Sequence, residues 1–199
     1  MRRINEIFHS LQGEGAHSGK SAVFVRFSGC NLKCSFCDTS HHEGRLMSDE
    51  EIAAEVGKYP ADWIILTGGE PSLWIDSQFV RFLKDSTGKR VAIETNGSNP
   101  LPDEIDWITV SPKVGMEGAG EYEIRVDHAD ELKVVDVGQE LEQYFSYPCV
   151  TKRTAMYLQP CFVTDREICL RNRLRTVEKV MADPRWTLSV QLHRFLGIQ

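Results

Sequence analysis

The sequence from residue 22 to residue 37 reads AVFVRFSGCNLKCSFC, an apolar run followed directly by three closely spaced cysteines. The run 22–27 is almost continuously apolar, which is typical of a strand that is covered on both faces. Further runs of this kind recur along the chain, and they are 63–66, 90–94, 107–110, 131–135, 155–158 and 187–192. The chain therefore contains several buried strands at intervals that leave room for helices between them.

Three helices are predicted between these strands. Ser48 and Glu51 form a capping-box pattern that opens a helix ending near residue 58, and Asp76 can cap a second helix. Thr164 with Glu167 predicts the start of the third. Apolar residues recur at helical spacing along this third helix, at Leu170, Leu174, Val177 and Met181.

Strands that alternate with helices imply parallel pairing and right-handed crossovers. About six βα units are too few to close an eight-stranded barrel. We therefore predict an α/β fold that is an incomplete, open TIM-like barrel, with a single domain over residues 1–199. The stretch 114–127 has the weakest pattern and is interpreted as a loop or a small insertion.

Composition limits the classes of function. The hydrophobic fraction of 41% and the charged fraction of 26% are those of an ordinary globular protein. The net charge of −6 argues against a nucleic-acid partner, because such a partner requires a basic surface. With neither a secretory signal nor a membrane-spanning run, we expect a cytoplasmic protein with no membrane partner. Cysteines in that compartment favour metal or redox chemistry over disulfides.

Polar or glycine-rich segments follow five of the predicted strands. They are the cysteine loop itself, Thr67-Gly68-Gly69-Glu70-Pro71, Thr95-Asn96-Gly97, Ser111-Pro112-Lys113 and Gln159-Pro160. In parallel α/β sheets, functional residues gather at the carboxyl ends of the strands. The sequence therefore predicts one site at this rim of the sheet.

The cysteines Cys30, Cys34 and Cys37 have the spacing C-x3-C-x2-C. Three thiolates this close can hold a 4Fe–4S cluster, and one of its four irons then keeps an open coordination position. A zinc site is the alternative, since His41 or His42 could complete a set of four ligands. The spacing favours the cluster without excluding zinc or a chance arrangement.

The cysteine loop also carries Phe36 directly before the last cysteine, and C-x3-C-x-aromatic-C resembles the signature of the radical S-adenosylmethionine superfamily. The segment Gly68-Gly69-Glu70-Pro71, one βα unit later, is similar to the glycine-rich segment of that superfamily. The resemblance implies that the open iron binds the amino and carboxylate groups of S-adenosylmethionine. Electron transfer from the cluster then releases a 5′-deoxyadenosyl radical.

Over essentially the whole chain, the sequence further resembles the 7-carboxy-7-deazaguanine synthase family. The matching segments are Ile4-Asn5-Glu6-Ile7-Phe8, Leu11-Gln12-Gly13-Glu14-Gly15, Cys37-Asp38-Thr39, Glu94-Thr95-Asn96-Gly97, Ser111-Pro112-Lys113 and the C-terminal run from Gln191 to Gln199. The resemblance implies conversion of 6-carboxy-5,6,7,8-tetrahydropterin to 7-carboxy-7-deazaguanine with loss of ammonia, a step toward queuosine-type nucleosides. It also implies a homodimer, a Mg²⁺ ion and an electron donor such as flavodoxin or ferredoxin.

The resemblance assigns substrate contacts to seven residues: Leu11, Gln12, Gly13, Glu14, Arg26, Thr67 and Gln199. Glu14 would accept hydrogen bonds from ring N–H groups, and Gln199 would reach the substrate as the C-terminal residue. Arg26 would take the substrate carboxylate with its planar guanidinium. Because its neighbours in the strand are apolar, Arg26 is expected to face the barrel interior. A surface ion pair is the other interpretation of Arg26.

Cofactor contacts are implied for Phe36, Cys37 and Asp38 at the adenosyl group and for Gly69 and Glu70 at the methionine group. The ribose and adenine would be bound by Ser111, Pro112, Lys113, Gln159 and Pro160. Thr39 would be a Mg²⁺ ligand, since Mg²⁺ prefers hard oxygen donors and keeps several waters. No catalytic residue is predicted beyond the cluster and the cofactor.

Two other functions share some of these features. An activase of a glycyl-radical enzyme would have the same cysteine spacing, but Leu11–Glu14 and Thr39 favour the pterin enzyme. A zinc-stabilised binding module would be colourless, whereas a cluster protein is brown. His193 is interpreted as a structural or surface residue, and no role is assigned to Cys161.

Overall fold

The computed structural model of this chain describes residues 1–37, 39–41 and 43–198. Its strands are β1 (Arg2–Leu11), β2 (Ser21–Phe27), β3 (Arg45–Met47), β4 (Trp63–Gly68), β5 (Arg90–Thr95), β6 (Trp107–Val110), β7 (Glu131–Asp136), β8 (Ala155–Pro160) and β9 (Thr187–Leu188). The α-helices are α1 (Asp49–Val56), α2 (Ser77–Thr87), α3 (Arg166–Ala182) and α4 (Leu192–Leu196). Short 3₁₀ turns cover Gly15–His17, Pro71–Leu73 and Glu142–Ser146.

All nine strands form one sheet in the order β3-β1-β2-β4-β5-β6-β7-β8-β9. Parallel pairing links β2 to β4 and each later strand to the next, while β1 is antiparallel to both β2 and β3. The two end strands β3 and β9 do not pair with one another, so the barrel is open. The prediction of an incomplete α/β barrel is confirmed.

The two antiparallel strands at one edge of the sheet were not predicted. In β1, the polar residues Asn5, Glu6, His9 and Ser10 interrupt the apolar positions, so neither strict alternation nor a continuous apolar run is visible. At the other edge, the predicted strand 187–192 was wrong in its length. Only Thr187–Leu188 pairs with β8, because the chain then turns away and Leu192 begins α4.

The crossovers contain fewer helices than a regular βα repeat. Helices α1, α2 and α3 follow β3, β4 and β8, whereas the connections 96–106, 111–130 and 137–154, which the structure describes in full, contain no α-helix. The capping box of α1 is present, since the Ser48 hydroxyl accepts from the Glu51 N–H at 3.2 Å and Glu51 accepts from the Ser48 N–H at 2.7 Å. Asp76 caps α2 as predicted.

The start of α3 differs from the prediction by one residue. Asp165, and not Thr164, is its N-cap, because the Asp165 carboxylate accepts hydrogen bonds from the N–H groups of Glu167 and Ile168 at 3.0 and 2.9 Å. A carboxylate at this position also interacts favourably with the helix dipole.

Helix α3 packs on the sheet with its polar face. The buried side chains are Asn172 and Thr176, and the Thr176 hydroxyl donates to Asp136, a fully buried carboxylate at the end of β7, at 2.8 Å. Arg175 and Lys179 form ion pairs with the same carboxylate. The apolar residues that recur at helical spacing along α3, namely Leu170, Leu174, Val177 and Met181, are all exposed.

The two faces of the sheet carry separate apolar clusters. Val25 and Phe27 of β2 belong to the large cluster under the helices. Phe24, on the opposite face of the same strand, packs in a smaller cluster inside the barrel with Ile65 and Ala92. Arg26 shares the inner face with Phe24, as the strand alternation requires. Across the ranges that the structure describes, no helix has the length and apolar character needed to span a bilayer.

Candidate active site

The three signature cysteines open into one cavity of about 200 Å³ at the carboxyl ends of the parallel strands. Its walls come from the cysteine loop and from the ends of β4, β5, β6, β7 and β8. The residues of the predicted site that line it are Glu14, Cys30, Cys34, Phe36, Cys37, Thr39, Thr67, Gly69, Glu70, Ser111, Lys113, Gln159 and Pro160. The polar segments after the strands thus meet at one rim; Pro112 is buried but does not line the cavity.

The cysteine loop is held by its own turn and by the segment 114–127. The Cys37 N–H donates to the Cys34 carbonyl at 3.2 Å, and the Leu32 N–H donates to the Cys30 sulfur at 3.4 Å. From the neighbouring segment, the Gly118 carbonyl accepts from the Lys33 N–H at 3.1 Å. A β-carbon on Gly118 would lie 2.0 Å from the Lys33 carbonyl oxygen, so only glycine permits this approach. The segment has the irregular structure that was predicted, and it braces the cysteine loop.

The glycine-rich loop after β4 lies directly on the start of the cysteine loop. The Gly69 N–H donates to the Phe27 carbonyl at 3.0 Å, and the Glu70 N–H donates to the Gly29 carbonyl at 2.9 Å. A β-carbon on Gly69 would lie 1.9 Å from the Gly29 carbonyl oxygen. The missing side chain is therefore what lets the two loops touch.

The side chain of Glu70 is buried, and both oxygens of its carboxylate accept hydrogen bonds. Its carboxylate accepts hydrogen bonds from the Ser72 N–H at 3.0 Å, from the Thr95 hydroxyl at 2.7 Å and from the Asn96 N–H at 2.8 Å. These bonds join the loop after β4 to the loop after β5. Any contact of Glu70 with a ligand in the cavity would therefore come mainly from its main chain.

The donor set at the cysteines suits an iron–sulfur cluster. The three thiols are free and share one cavity wall. Burial raises the pKa values of Cys30 and Cys34, so these thiols need a metal to become thiolates at neutral pH. Across the described ranges, no three histidine, cysteine or acidic side chains already form a complete metal site. Three thiols without a fourth protein ligand among the described residues match a cluster that leaves one iron open better than they match structural zinc.

On the far wall of this cavity, Lys113 folds back onto its own loop. Its ammonium donates to the Ser111 carbonyl at 2.8 Å and to the Ser111 hydroxyl at 2.7 Å. Burial lowers the pKa of Lys113, although the nearby Cys34 works in the opposite direction. Gln159 and Pro160 continue this wall from the end of β8.

A second cavity of about 320 Å³ continues from the first toward β1 and the C-terminal segment. It is lined by Phe8, Leu11, Gln12, Gly13, Glu14, Phe24, Arg26, Thr39, Thr67, Glu94, Gln191, His193, Arg194 and Ile198. Five residues line both cavities, namely Glu14, Thr39, Thr67, Glu94 and Gln191. The two cavities therefore form one cleft, with the cysteines at one end and Arg26 at the other.

A buried ionic cluster lies where the two cavities meet. The ammonium of Lys133 forms ion pairs with Glu14 and with Glu94, the latter at 3.2 Å, and the Lys133 side chain is only 5% exposed. Burial by itself would raise the pKa of Glu14, but the charge and hydrogen bond of Lys133 hold it below its usual value. Burial would likewise lower the pKa of Lys133, and the surrounding carboxylates raise it instead. Both groups are charged at neutral pH.

Arg26 lies in the second cavity and is already paired. Its guanidinium forms an ion pair with Glu6 of the adjacent strand and lies over the ring of Phe8, 5.2 Å from the ring centre. Both charged side chains remain about one-third exposed. The two interpretations of Arg26 are thus compatible: it faces the cleft, and it makes an ion pair.

The C-terminal segment closes one side of the second cavity. The Leu192 N–H donates to the Gly13 carbonyl at 2.9 Å, and a β-carbon on Gly13 would lie 2.2 Å from His193 Nδ1. Gln12 is buried, and its amide donates to Glu94 at 2.8 Å. The predicted cofactor residue Asp38, the predicted substrate residue Gln199 and the alternative zinc ligand His42 lie outside the described residues.

Several residues that line the cleft were assigned no role from the sequence. They are Glu94, Lys133, Gln191, His193 and Cys161. Glu94 ends the predicted strand 90–94 and directly precedes Thr95-Asn96-Gly97, a segment predicted to lie at the rim. Its position could therefore have indicated a role in the site. His193 had been interpreted as structural or surface, and only its contact with Gly13 reveals its place.

Comparison with known proteins gives a consistent result. The model of the radical SAM superfamily matches residues 24–140. The chain is 52% identical over 199 residues to 7-carboxy-7-deazaguanine synthase from Bacteroides thetaiotaomicron, with 100% of both chains covered. The chain belongs to the 7-carboxy-7-deazaguanine synthase family of the radical SAM superfamily. A family relative with the same name from Neisseria meningitidis is 36% identical over 202 residues, covering 99% of this chain and 94% of that one.

The fold of the family is also found among solved structures. The crystal structure of QueE from Escherichia coli matches with a TM-score of 0.76 at 29% identity, covering 96% of this chain and 94% of that chain. Membership of the radical SAM superfamily confirms the 4Fe–4S cluster and S-adenosylmethionine as cofactors and decides against the zinc alternative. The family name likewise decides against a glycyl-radical activase.

Proposed function

We propose that this protein converts 6-carboxy-5,6,7,8-tetrahydropterin to 7-carboxy-7-deazaguanine, with loss of ammonia, in the synthesis of queuosine-type 7-deazapurines. The observation that carries the proposal is the single cleft that joins the three cysteines to a second polar cavity. The full-length identity of 52% to a synthase of this name supports it. A radical enzyme needs the cofactor and the substrate side by side, and the two connected cavities offer that arrangement.

In this proposal, Cys30, Cys34 and Cys37 hold the cluster as thiolates. When bound, the cluster and S-adenosylmethionine supply a carbon radical that removes a hydrogen atom from the substrate. The proposed cofactor contacts are Phe36, Asp38, Gly69, Glu70, Ser111, Pro112, Lys113, Gln159 and Pro160, of which Pro112 does not line the cavity and would act through the main chain of its loop. Because Gly69 permits close approach of the main chain, N–H and C=O groups there can pair with the amino-acid end of the cofactor.

The substrate occupies the second cavity. Arg26 supplies a guanidinium for the substrate carboxylate, which would share it with Glu6 or displace Glu6. Glu14 accepts from N–H groups of the ring. The remaining proposed contacts are Leu11, Gln12, Gly13, Thr67 and Gln199. All but Gln199 lie among the described residues and line the cleft.

A Mg²⁺ ion completes the site in this proposal, with Thr39 as its protein ligand. The support is the position of Thr39, which lines both cavities and thus lies between the cofactor and substrate ends. One hydroxyl together with waters and substrate oxygens is an acceptable set for Mg²⁺. Thr39 would then orient the substrate carboxylate through the ion.

We further propose that residues 1–199 form one domain, that the protein is a cytoplasmic homodimer, and that flavodoxin or ferredoxin is its electron donor. The exposed apolar stripe of α3 supports the dimer, because such stripes are usually covered by another surface. The free cysteines support a reducing compartment.

The test is an anaerobic assay of the reconstituted protein with S-adenosylmethionine, dithionite, Mg²⁺ and 6-carboxytetrahydropterin, with products identified by mass spectrometry. We expect 7-carboxy-7-deazaguanine and 5′-deoxyadenosine. Formation of 5′-deoxyadenosine without 7-carboxy-7-deazaguanine would support the radical cleavage of S-adenosylmethionine but refute the proposed substrate. A Cys34→Ala variant is the matched control and should give neither compound.

A further inference from the structure

Lys133 is a buried cation between two carboxylates that come from distant parts of the chain. Glu14 follows β1 and Glu94 is the next-to-last residue of β5, whereas Lys133 lies in the middle of β7. Its side chain is 5% exposed, those of Glu14 and Glu94 are 14% and 24% exposed, and all three border the cleft. Two carboxylates and one ammonium leave one negative charge facing the substrate cavity.

Amide and hydroxyl groups fix the orientation of both carboxylates. Glu14 Oε1 accepts from Gln159 at 3.1 Å and from Gln191 at 2.9 Å, while its Oε2 accepts from Lys133. In Glu94, Oε1 accepts from Gln12 at 2.8 Å and from Lys133 at 3.2 Å, and Oε2 accepts from Thr67 at 3.2 Å. A carboxylate has about four lone-pair positions. Counting only partners among the described residues, each carboxylate retains one acceptor position, on the oxygen that carries a single bond.

We propose that Lys133 is a positioning residue that holds Glu14 and Glu94 as an ionised, fixed pair of acceptors for the N–H edge of a 2-aminopyrimidinone ring. The inference rests on the proposed function, which supplies a substrate and a product with such a ring. The ring presents an exocyclic amine and an adjacent ring N–H as donors in one plane. A pair of carboxylates held by a shared cation can accept from both.

Without the ammonium, the two partly buried carboxylates would repel each other. One of them would then take up a proton or move away, and it would cease to be a pure acceptor. Among the described residues, the other titratable groups near this pair, Glu131, Lys113 and His193, form no hydrogen bond or ion pair that joins Glu14 to Glu94. Lys133 therefore controls specificity for the amine, in addition to any effect on stability.

The experiment compares two ligands, 7-carboxy-7-deazaguanine and its analogue without the 2-amino group. Each is titrated calorimetrically into the holoenzyme with bound S-adenosylmethionine, in the wild type and in Lys133→Met. We expect the wild type to prefer the amino compound by about tenfold, since a site with buried acceptors penalises a missing donor. In Lys133→Met, that preference should disappear while iron content and binding of S-adenosylmethionine stay unchanged.

A merely structural role gives a different result. If Lys133→Met lowers the affinity for both ligands by the same factor and so keeps the preference for the amino compound, the proposal is overturned. A wild type without that preference also overturns it. Lys179→Met, which removes the ammonium paired with buried Asp136 on the α3 side of the sheet, is the matched control and should keep the preference. If Lys133→Met does not fold, Lys133→Gln is tested in its place, and the ratio of its affinities for the two ligands decides. Failure of the proposed function is visible separately, as absence of product in the wild-type assay.

Discussion

The carboxylate of Glu70 accepts a hydrogen bond from the main-chain N–H of Asn96 at 2.8 Å and thereby ties the loop after β4 to the loop after β5. Glu70 is 1% exposed, and its carboxylate also accepts from the Ser72 N–H and the Thr95 hydroxyl. The same loop rests on Gly29 at the entrance of the cysteine loop. Glu70 thus links three of the loops that line the cofactor cavity, namely the cysteine loop, the loop after β4 and the loop after β5.

This arrangement predicts the effect of Glu70→Gln. The amide keeps the volume but turns one acceptor into a donor, so at least one buried N–H or O–H loses its partner. We expect the free energy of unfolding to fall by about 1–3 kcal/mol, together with weaker binding of S-adenosylmethionine. Urea denaturation and calorimetric titration measure the two effects. Glu55→Gln, at a surface ion pair, is the control and should change the unfolding free energy by less than about 1 kcal/mol. Wild-type stability in Glu70→Gln would contradict this account.

Thr39 gives a second prediction, specific to Mg²⁺. Thr39→Ala removes the hydroxyl that would bind the ion, so we expect turnover to fall about tenfold or more and iron content to stay unchanged. Thr39→Ser keeps the hydroxyl and serves as the matched control, with activity near that of the wild type. Turnover is followed by mass spectrometry of the product at several Mg²⁺ concentrations. Loss of iron from Thr39→Ala would mean that Thr39 supports the cysteine loop instead.

Much of the fold could be predicted because the parallel strands are buried on both faces. Such strands appear as continuous apolar runs, and the predicted starts at Trp63, Arg90, Trp107 and Glu131 agree with the structure. Strand β1 was missed because its mixture of polar and apolar residues follows neither periodicity. In the site, the motifs identified the residues after the strands. Lys133 could not be found in this way. A lysine inside an apolar strand shows no role until its ion pairs with Glu14 and Glu94, which are distant in sequence, are known.

The polar inner face of α3 leads to a prediction about pH. Burial would raise the pKa of Asp136, but Lys179, Thr176 and the Gly138 N–H together lower it below its ordinary value of 3.8. A carboxyl group with a lowered folded-state pKa stabilises the fold above its unfolded pKa, and this contribution is lost as the pH falls. Asp136→Asn should therefore cost about 3 kcal/mol or more near pH 7. The difference from the wild type should shrink once the pH falls below 3.8.

Urea denaturation followed by circular dichroism at a series of pH values measures this difference. Asp183→Asn, at a more exposed ion pair with Arg185, is the control and should cost less than about 1 kcal/mol throughout. A cost for Asp136→Asn that stays constant down to the lowest pH would show that the charge of Asp136 does not stabilise the fold.

The apolar stripe of α3 predicts the dimer interface. Leu170, Leu174, Val177 and Met181 are 50%, 56%, 36% and 81% exposed and follow one another at helical spacing on the side of α3 away from the sheet. An apolar stripe usually packs against the sheet, but in α3 the face toward the sheet carries the polar residues that bind Asp136. In a two-fold interface, the stripe of one copy would pack against the same stripe of a second copy, so that each covers the other.

Leu174→Glu places a charge at the centre of the stripe, and we expect it to convert the dimer to a monomer at micromolar concentration, because burying an unpaired charge is costly. Ile168→Glu is the matched control: Ile168 lies on the same helix and is 42% exposed, but on a different side. Sedimentation velocity should show a dimer for the wild type and for Ile168→Glu and a monomer for Leu174→Glu. If Leu174→Glu sediments as the wild type does, the stripe is not the interface. A monomeric wild type would refute the dimer itself.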